Sequence, residues 1–403
     1  MKASLFMAII PLAAMSATDI TVDSVVQRWP WNNKVDITYT VTGGQDLTSE
    51  PPQYKRIVFT TVLNGTTYTI DGTTYVGASA NEGTHTVTWT LPSGVKSNDC
   101  TMTAAVYAAD APSGDDYMII DLTKVSDNVT YEGLLATQDA SNERYNTATY
   151  KKDKLVLRKV PAGGPYPTGD NVNFGSGDDV NTARTWNTTR DYYIGVFPVT
   201  QYQYKKLCGS YTAWQNANYG DMNSLENVSW IDLRTDIAPE ASIPAVESNS
   251  GTFLQRLNYI TGNKFGFDLP TEVMYEIAGR AGASTTFFWG NDPDADYVVS
   301  GAASVAQVGT RKPNAWGLYD VVGNAWYWCR DAYDGGGNLT VVDAFTPHSI
   351  MTGGNNHLRR FRAKAYYGHN ISTDPRRFAM SMRGGDTKDH RAACGFRVAM
   401  IVF

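Results

Sequence analysis

Four cysteines and five histidines carry all the soft-metal and thiol chemistry open to this chain of 403 residues. Cys100, Cys208, Cys329 and Cys394 are scattered, and no Cys-x-x-Cys occurs, so zinc ribbons and thioredoxin-type redox motifs have no support. Three full disulfide pairings are open to them, and spacing does not choose between these. Cys329–Cys394 is the preferred bridge, because both lie in aromatic-rich segments of one domain. His348, His357, His369 and His390 fall within the last 56 residues at spacings that match no ligand pattern. Ordinary turn and surface histidines account for them better than a transition-metal site does. The alternating Asp292, Asp294 and Asp296 likewise read as a solvated loop before they read as a cation site. No HExxH, GxSxG, GxGxxG or phosphate-loop pattern is present.

Charge offers a second lead. Residues 340–403 hold ten Lys and Arg against four Asp, on a chain whose formal net charge is −6. Such an excess suits a cleft for an anionic ligand, and aromatic rings beside it stack on sugars and peptides alike. The candidate ligand-binding residues are therefore Arg359, Arg362, Tyr366, Tyr367, His369 and Arg383. The competing reading has arginines, Arg383 and Arg397 above all, bracing the fold through carbonyls and carboxylates. An acidic chain is a poor general binder of nucleic acid.

The elements that must position these residues follow from composition and periodicity. At ~100–200 residues per domain the length implies two or three units. Charged residues are 18%, aromatics 12%, and there are 36 glycines, which suits turn-rich β structure better than helical bundles. Residues 1–16 read as a secretory signal, with Lys2, a short apolar core and the small residues Ala14 and Ser16. No apolar run reaches the ~20 residues of a membrane span. The expected location is secreted, periplasmic or cell-surface.

Residues 17–108 alternate at period two, as in Val35, Ile37, Tyr39 and Val41, with Asn64-Gly65 and Asp71-Gly72 as hairpin turns. An antiparallel, immunoglobulin-like β-sandwich is expected, and Trp29-Pro30-Trp31 packs its edge rather than forming a binding ridge. Residues 109–167 read as a connector with strands, Lys154 to Val160 among them. From 168 the pattern is α+β, with helices begun by Thr200, by Ser250 and by Leu269-Pro-Thr-Glu272, and none longer than a turn beyond Gly282.

Several stretches, in order, resemble the formylglycine-generating enzyme (sulfatase-modifying factor) family. They are Asp191-Tyr-Tyr-Ile-Gly-Val-Phe-Pro-Val-Thr-Gln-Tyr-Gln-Tyr204, Asn227-Val-Ser-Trp230, Leu269-Pro-Thr-Glu272 with Tyr275-Glu-Ile-Ala-Gly-Arg280, Phe288-Trp-Gly290, Pro313 to Trp326, and Gly395-Phe-Arg-Val-Ala399. The resemblance covers roughly 170–403 and implies a C-type-lectin-like α+β domain. The family's enzymes oxidise a sulfatase cysteine to formylglycine with dioxygen and a copper ion held by two cysteine thiolates. The segment best aligned with their RGGS strand is Arg362-Ala-Lys-Ala-Tyr366, which puts Ala365 at the serine and Gly368 and Thr373 at the cysteines. No cysteine lies between Cys329 and Cys394, so the dithiol is missing in any register. The resemblance also implies a calcium position at Asp320, Gly323 and Ala325, where Tyr327 replaces the family's glutamate.

The expectation is an exported protein with a sandwich domain and a non-catalytic family domain that binds a peptide or glycan through a basic, aromatic groove. No catalytic residue is assigned, copper is not expected, and calcium is the one ion that the resemblance leaves open. The alternatives are an active formylglycine-generating oxidase, a non-haem metal enzyme using the late histidines, and a structural surface protein.

Overall fold

The computed structural model describes residues 19–28, 33–44, 46, 53–71, 79–95, 101–109, 114–135, 143–170, 183–213, 219–333, 343–347, 358–362, 369–391 and 393–402. The chain divides into two compact units, Met1–Pro112 with Leu134–Asp139, and Ser113–Gly133 with Ala140–Phe403. Residues 1–16, Trp29-Pro30-Trp31, Gly72, Cys100, His348 and His357 lie outside the described residues.

Among the described residues the first unit has six strands: β1 (Asp19–Gln27), β2 (Lys34–Thr42), β3 (Tyr54–Leu63), β4 (Thr66–Asp71), β5 (Gly83–Thr90) and β6 (Met102–Ala109). Their order is β1-β2-β5 in one sheet and β4-β3-β6 in the other, with every pairing antiparallel. The period-two pattern does what it implies. Val35, Ile37, Tyr39 and Val41 of β2 share one buried cluster with Ile57 and Phe59 of β3 and Val106 of β6. Asn64 and Gly65, at φ of 50° and 78°, close the two-residue β3–β4 hairpin.

The second unit is built on a five-stranded antiparallel sheet of β7 (Tyr117–Asp121), β8 (Val129–Glu132), β9 (Lys154–Val160), β12 (Tyr192–Gly195) and β17 (Ala399–Ile401), in the order β17-β12-β9-β7-β8. The stretch expected to connect the domains thus supplies three of the five strands. Strands β7 and β9 are buried on both faces. Met118, Ile120, Leu155 and Leu157 pack to one side, with Tyr117, Ile119, Val156 and Val160 on the other. Strands covered on two sides lose the alternation that marks a half-exposed sheet. Two further short strands, β10 (Gly163–Thr168) and β11 (Arg184–Thr188), form a ribbon. A second sheet holds β13 (Trp326–Ala332), β14 (Leu358–Arg362), β15 (Arg383–Thr387) and β16 (Cys394–Phe396), in the order β15-β14-β13-β16 with β13 and β16 parallel.

Among the described residues five short α-helices cover the large sheet: α1 (Ala148–Lys152), α2 (Gln201–Cys208), α3 (Trp230–Arg234), α4 (Phe253–Ile260) and α5 (Glu272–Arg280). Thr200 and Gln203 form a reciprocal capping box on α2, and Thr271 accepts from the Met274 N–H at the start of α5. Helix α4 starts later than expected, because Thr252 and not Ser250 makes the cap with Gln255. Helix α3 was not expected; its cap is Ser229 with Asp232.

The preferred disulfide is not formed. Parallel register sets Cys394 beside Trp326, and Cys329 lies three residues further along β13, at ~10 Å and beyond bridging range. The two thiols also pack into different clusters, Cys394 with Trp328 and Cys329 with Tyr327.

Close backbone packing explains one glycine of the terminal motif. A Cβ on Gly395 would stand 2.2 Å from the Leu225 carbonyl oxygen. Gly395→Ala is expected to destabilise the second unit by about 3 kcal/mol. Denaturant unfolding followed by tryptophan fluorescence measures this, and a midpoint equal to wild type would contradict the close approach.

Candidate functional site

The family-like segments converge on α5, whose nine residues are all buried. At its N-terminus Glu272 accepts two hydrogen bonds from Arg383, Nε–H at 2.7 Å and Nη2–H at 3.0 Å, with both side chains fully buried. At its C-terminus Arg280 donates to Glu276 Oε1 at 2.9 Å, to the Thr285 carbonyl at 2.8 Å and to the Gly169 carbonyl at 2.7 Å. Asn314 reaches the same helix from the other side, donating to the carbonyls of Ala278 and Gly279. Trp230 and Trp328 donate through their indole N–H groups to the carbonyls of Cys329 and Val228, which ties α3 to β13.

This geometry removes Arg383 from the proposed ligand surface. Arg383 faces inward to Glu272, so it lines no groove. Arg397 is a brace as well, donating to the carbonyls of Gly195, Val196 and Tyr319. Lys388 pairs with Asp236, Arg391 with Asp232, and Arg377 with Asp374, so much of the local positive excess is neutralised by the fold. Strand β14 puts Arg362 opposite Arg383 and Arg359 opposite Asp386 in backbone register. Tyr366 and Tyr367 lie outside the described residues. His369 is half-buried beside Asp374 at 3.7 Å.

The sulfur chemistry is equally constrained. Burial pushes the Cys208 thiol up to about 11 and the Cys394 thiol well above its ordinary value. A protonated thiol is neither a nucleophile nor a copper ligand. Thr373, at one of the aligned cysteine positions, is exposed and donates to the Asn370 carbonyl. Among the described residues no three His, Cys, Asp or Glu side chains converge as a metal site. His369 and His390 each sit against a different aspartate, Asp374 and Asp386.

The residues at the calcium position do not fit a calcium ion. Asp320 is buried, and its carboxylate accepts the Gly309 N–H at 2.7 Å and the Asn324 amide at 3.4 Å. The Gly323 carbonyl accepts the Ala325 N–H at 2.8 Å and the Tyr327 hydroxyl at 3.4 Å. A hard divalent ion needs several free oxygens, preferably charged, and here one carboxylate and one carbonyl are both already engaged.

Two concave sites escaped sequence reasoning. A cavity of about 240 Å³ is lined by Phe265, Phe267, Leu269, Met274, Met400 and Arg330. Arg330 is held by the carbonyls of Pro239, Glu240 and Ala241, beside the Arg234–Asp268 ion pair. A cleft of about 250 Å³ is lined by Tyr202, Tyr211 and Tyr219 with Gln201, Lys205 and Asp221. The tyrosine spacing along 202–219 was the available signal for the second; the first joins segments too distant in sequence to leave one.

A fold assembled from these motifs defines a class before it defines a protein. Residues 158–402 match the family described as sulfatase-modifying factor enzyme 1-like domain, and the chain belongs to that family. It is 30% identical over 154 residues to a formylglycine-generating enzyme of Thermomonospora curvata, covering 33% of this chain and 49% of that protein. It is 29% identical over 154 residues to one of Streptomyces coelicolor, covering 33% and 46%. The chain thus spans about half the length of these relatives. Similar solved structures include Treponema denticola variable protein 1, at 20% identity and TM-score 0.43, covering 61% of this chain and 95% of that one. PvdO from Pseudomonas aeruginosa is similar at 18% identity and TM-score 0.47, covering 61% and 94%. The α+β class expected for the second unit holds, with short helices packed against mainly antiparallel sheets.

The buried pair at the head of α5 gives a direct test. Arg383→Met removes a bidentate cation from the buried Glu272 carboxylate, and is expected to cost about 3–5 kcal/mol of stability. An exposed ligand-binding arginine would lower stability by far less, so equilibrium unfolding of the variant separates the two roles.

Proposed function

We propose that this chain is an exported, non-catalytic member of the family that binds a peptide or glycan. The observation that carries the reading is the absence of any cysteine between Cys329 and Cys394, where the family's copper-holding pair belongs. Glycine and threonine at those positions offer no soft thiolate for Cu(I). Burial raises the thiols of Cys208 and Cys394, which disfavours the thiolate form that Cu(I) takes as a ligand. Export rests on the signal-like character of residues 1–16. Among the described residues, no helix is long and apolar enough to cross a membrane.

With Arg383 withdrawn into the core, the tyrosine cleft is the better-supported binding surface. Tyr202, Tyr211 and Tyr219 supply ring surface, while Gln201, Lys205 and Asp221 supply hydrogen-bonding groups around it. Tyr219 is 53% exposed. Rings framed by polar groups are what sugar faces and extended peptides both use.

Incubation with copper and a sulfatase-motif peptide is expected to consume no oxygen above the protein-free rate. Copper-dependent, peptide-dependent oxygen uptake would instead establish an active oxidase. On glycan and peptide arrays the wild type is expected to retain ligands, and Tyr219→Ala to weaken the best of them by up to about tenfold. A flat response on both arrays would overturn the binding assignment.

A further inference from the structure

We propose that the cavity beside Arg330 binds a small carboxylic acid with an apolar body. It is separate from the tyrosine cleft, with which it shares no lining residue. The cavity lies at the edge of the large sheet. There the Asp268 N–H donates to the Ala399 carbonyl of the edge strand β17 at 2.9 Å, and the Ala399 N–H donates back at 2.8 Å. This pairing brings Phe265, Phe267 and Leu269 beside Met274 and Met400 to form an apolar wall. An apolar cavity of ~150 Å³ holds benzene, so one of about 240 Å³ suits a body of roughly ten heavy atoms.

The polar end rests on an uneven count of charges. Asp268 accepts from Arg234 Nε–H at 2.5 Å and Nη2–H at 3.0 Å, and lies 3.4 Å from the Arg330 Nε. One carboxylate thus serves two guanidiniums. Two further acids act on Arg330 more weakly than Asp268 does: the Asp331 carboxylate accepts the Glu272 N–H, and Glu240 is exposed. Backbone carbonyls fix both cations without neutralising them. Ala238 and Ala241 accept from Arg234, while Pro239, Glu240 and Ala241 accept from Nε and Nη2 of Arg330. Among the described residues Nη1 of Arg330 donates no hydrogen bond, although the side chain is only 15% exposed. Burial lowers the pKa of this guanidinium despite Asp268, and Arg234 adds to the effect. A carboxylate in the cavity takes a charge-assisted bond from Nη1 and supplies the missing negative charge. Ser242, exposed at the same cavity, has a hydroxyl able to donate a second bond. A neutral apolar molecule would leave the Nη1 donor unpaired, which costs affinity.

The test is calorimetric titration of the full chain with octanoate, which has the required size and charge. Wild type is expected to bind a single octanoate, and to bind octanol at least ~10-fold more weakly, because the alcohol brings no anion to Nη1. Ile243 is a half-buried residue of the cavity lining. Ile243→Trp is expected to weaken octanoate by at least ~10-fold by filling the space. Its melting temperature without ligand should stay within about 2 °C of wild type. Arg330→Met is expected to erase the preference for octanoate over octanol. Should that variant not fold, the comparison of the two ligands on wild type and the Ile243→Trp titration decide the matter. No octanoate binding at low-millimolar concentration, equal binding of octanol, or undiminished binding by Ile243→Trp would each overturn the site.

Discussion

A helix buried on every side, yet carrying three charges, is the constraint around which the second unit is organised. None of the residues of α5 reaches solvent, so Glu272, Glu276 and Arg280 cannot be left to water. Each must be answered from within the protein. Arg383 of β15 answers Glu272, and the Asp331 carboxylate of β13 accepts the Glu272 backbone N–H. Glu276 accepts from Arg280 and from the Gly169 N–H, which anchors the end of the β10 ribbon. The signs also suit the helix, with the acidic residue at its positive end and Arg280 at its negative end. Such pairs contribute little net stability against an apolar alternative, because desolvation offsets attraction. Their consequence is register. Slipping β15 by one residue would turn Arg383 to the other face and strand Glu272.

The same logic explains why several cations of the basic C-terminal stretch are matched inside the fold. Its partners are remote: Glu272 lies 111 residues from Arg383, Asp236 lies 152 from Lys388, and Asp232 lies 159 from Arg391. A count of charges within 64 consecutive residues sees the arginines and none of these acids. Arg397 escapes such a count for a second reason, since its partners are backbone carbonyls, which carry no formal charge. Local excess charge is therefore a measure of how far away the partners are as much as of what the surface attracts.

What was legible in the sequence divides along the same line. Helix starts at Thr200 and Thr271 and the Asn64-Gly65 hairpin could be read because their signals lie within a few residues of what they control. Helix α3 was missed because five residues are too short to show a period, although Ser229-x-x-Asp232 was a visible capping pattern. Strand β9 was read with its bounds, but its place with β7 and β8 in a core sheet was not, because membership depends on partners such as Tyr192 and Ile194 of β12, and both faces of β7 and β9 are covered. The Cys329–Cys394 bridge failed on register, which no composition argument contains. Within the site, the missing dithiol was legible because an absent residue type stays absent under any alignment. The burial of Arg383 was not, because its partner Glu272 lies 111 residues away.

The family-like motifs are now seen to be employed largely in holding the domain together. Asn314 pins the PNAWG turn to α5, Trp230 and Trp328 join α3 to β13, and Tyr275 donates to the Val321 carbonyl. These bonds run from side chains to backbone groups, and none of them draws on a metal, a thiolate or a substrate. A chain that keeps them keeps the fold whatever happens to the segment between β14 and β15. That segment, 363–382, is where the copper-binding thiols of the family would belong, and here it carries none. Similarity concentrated in bracing residues therefore reports architecture, and it is silent on reaction. The loss of the dithiol is compatible with full retention of the fold because the two were never supported by the same bonds.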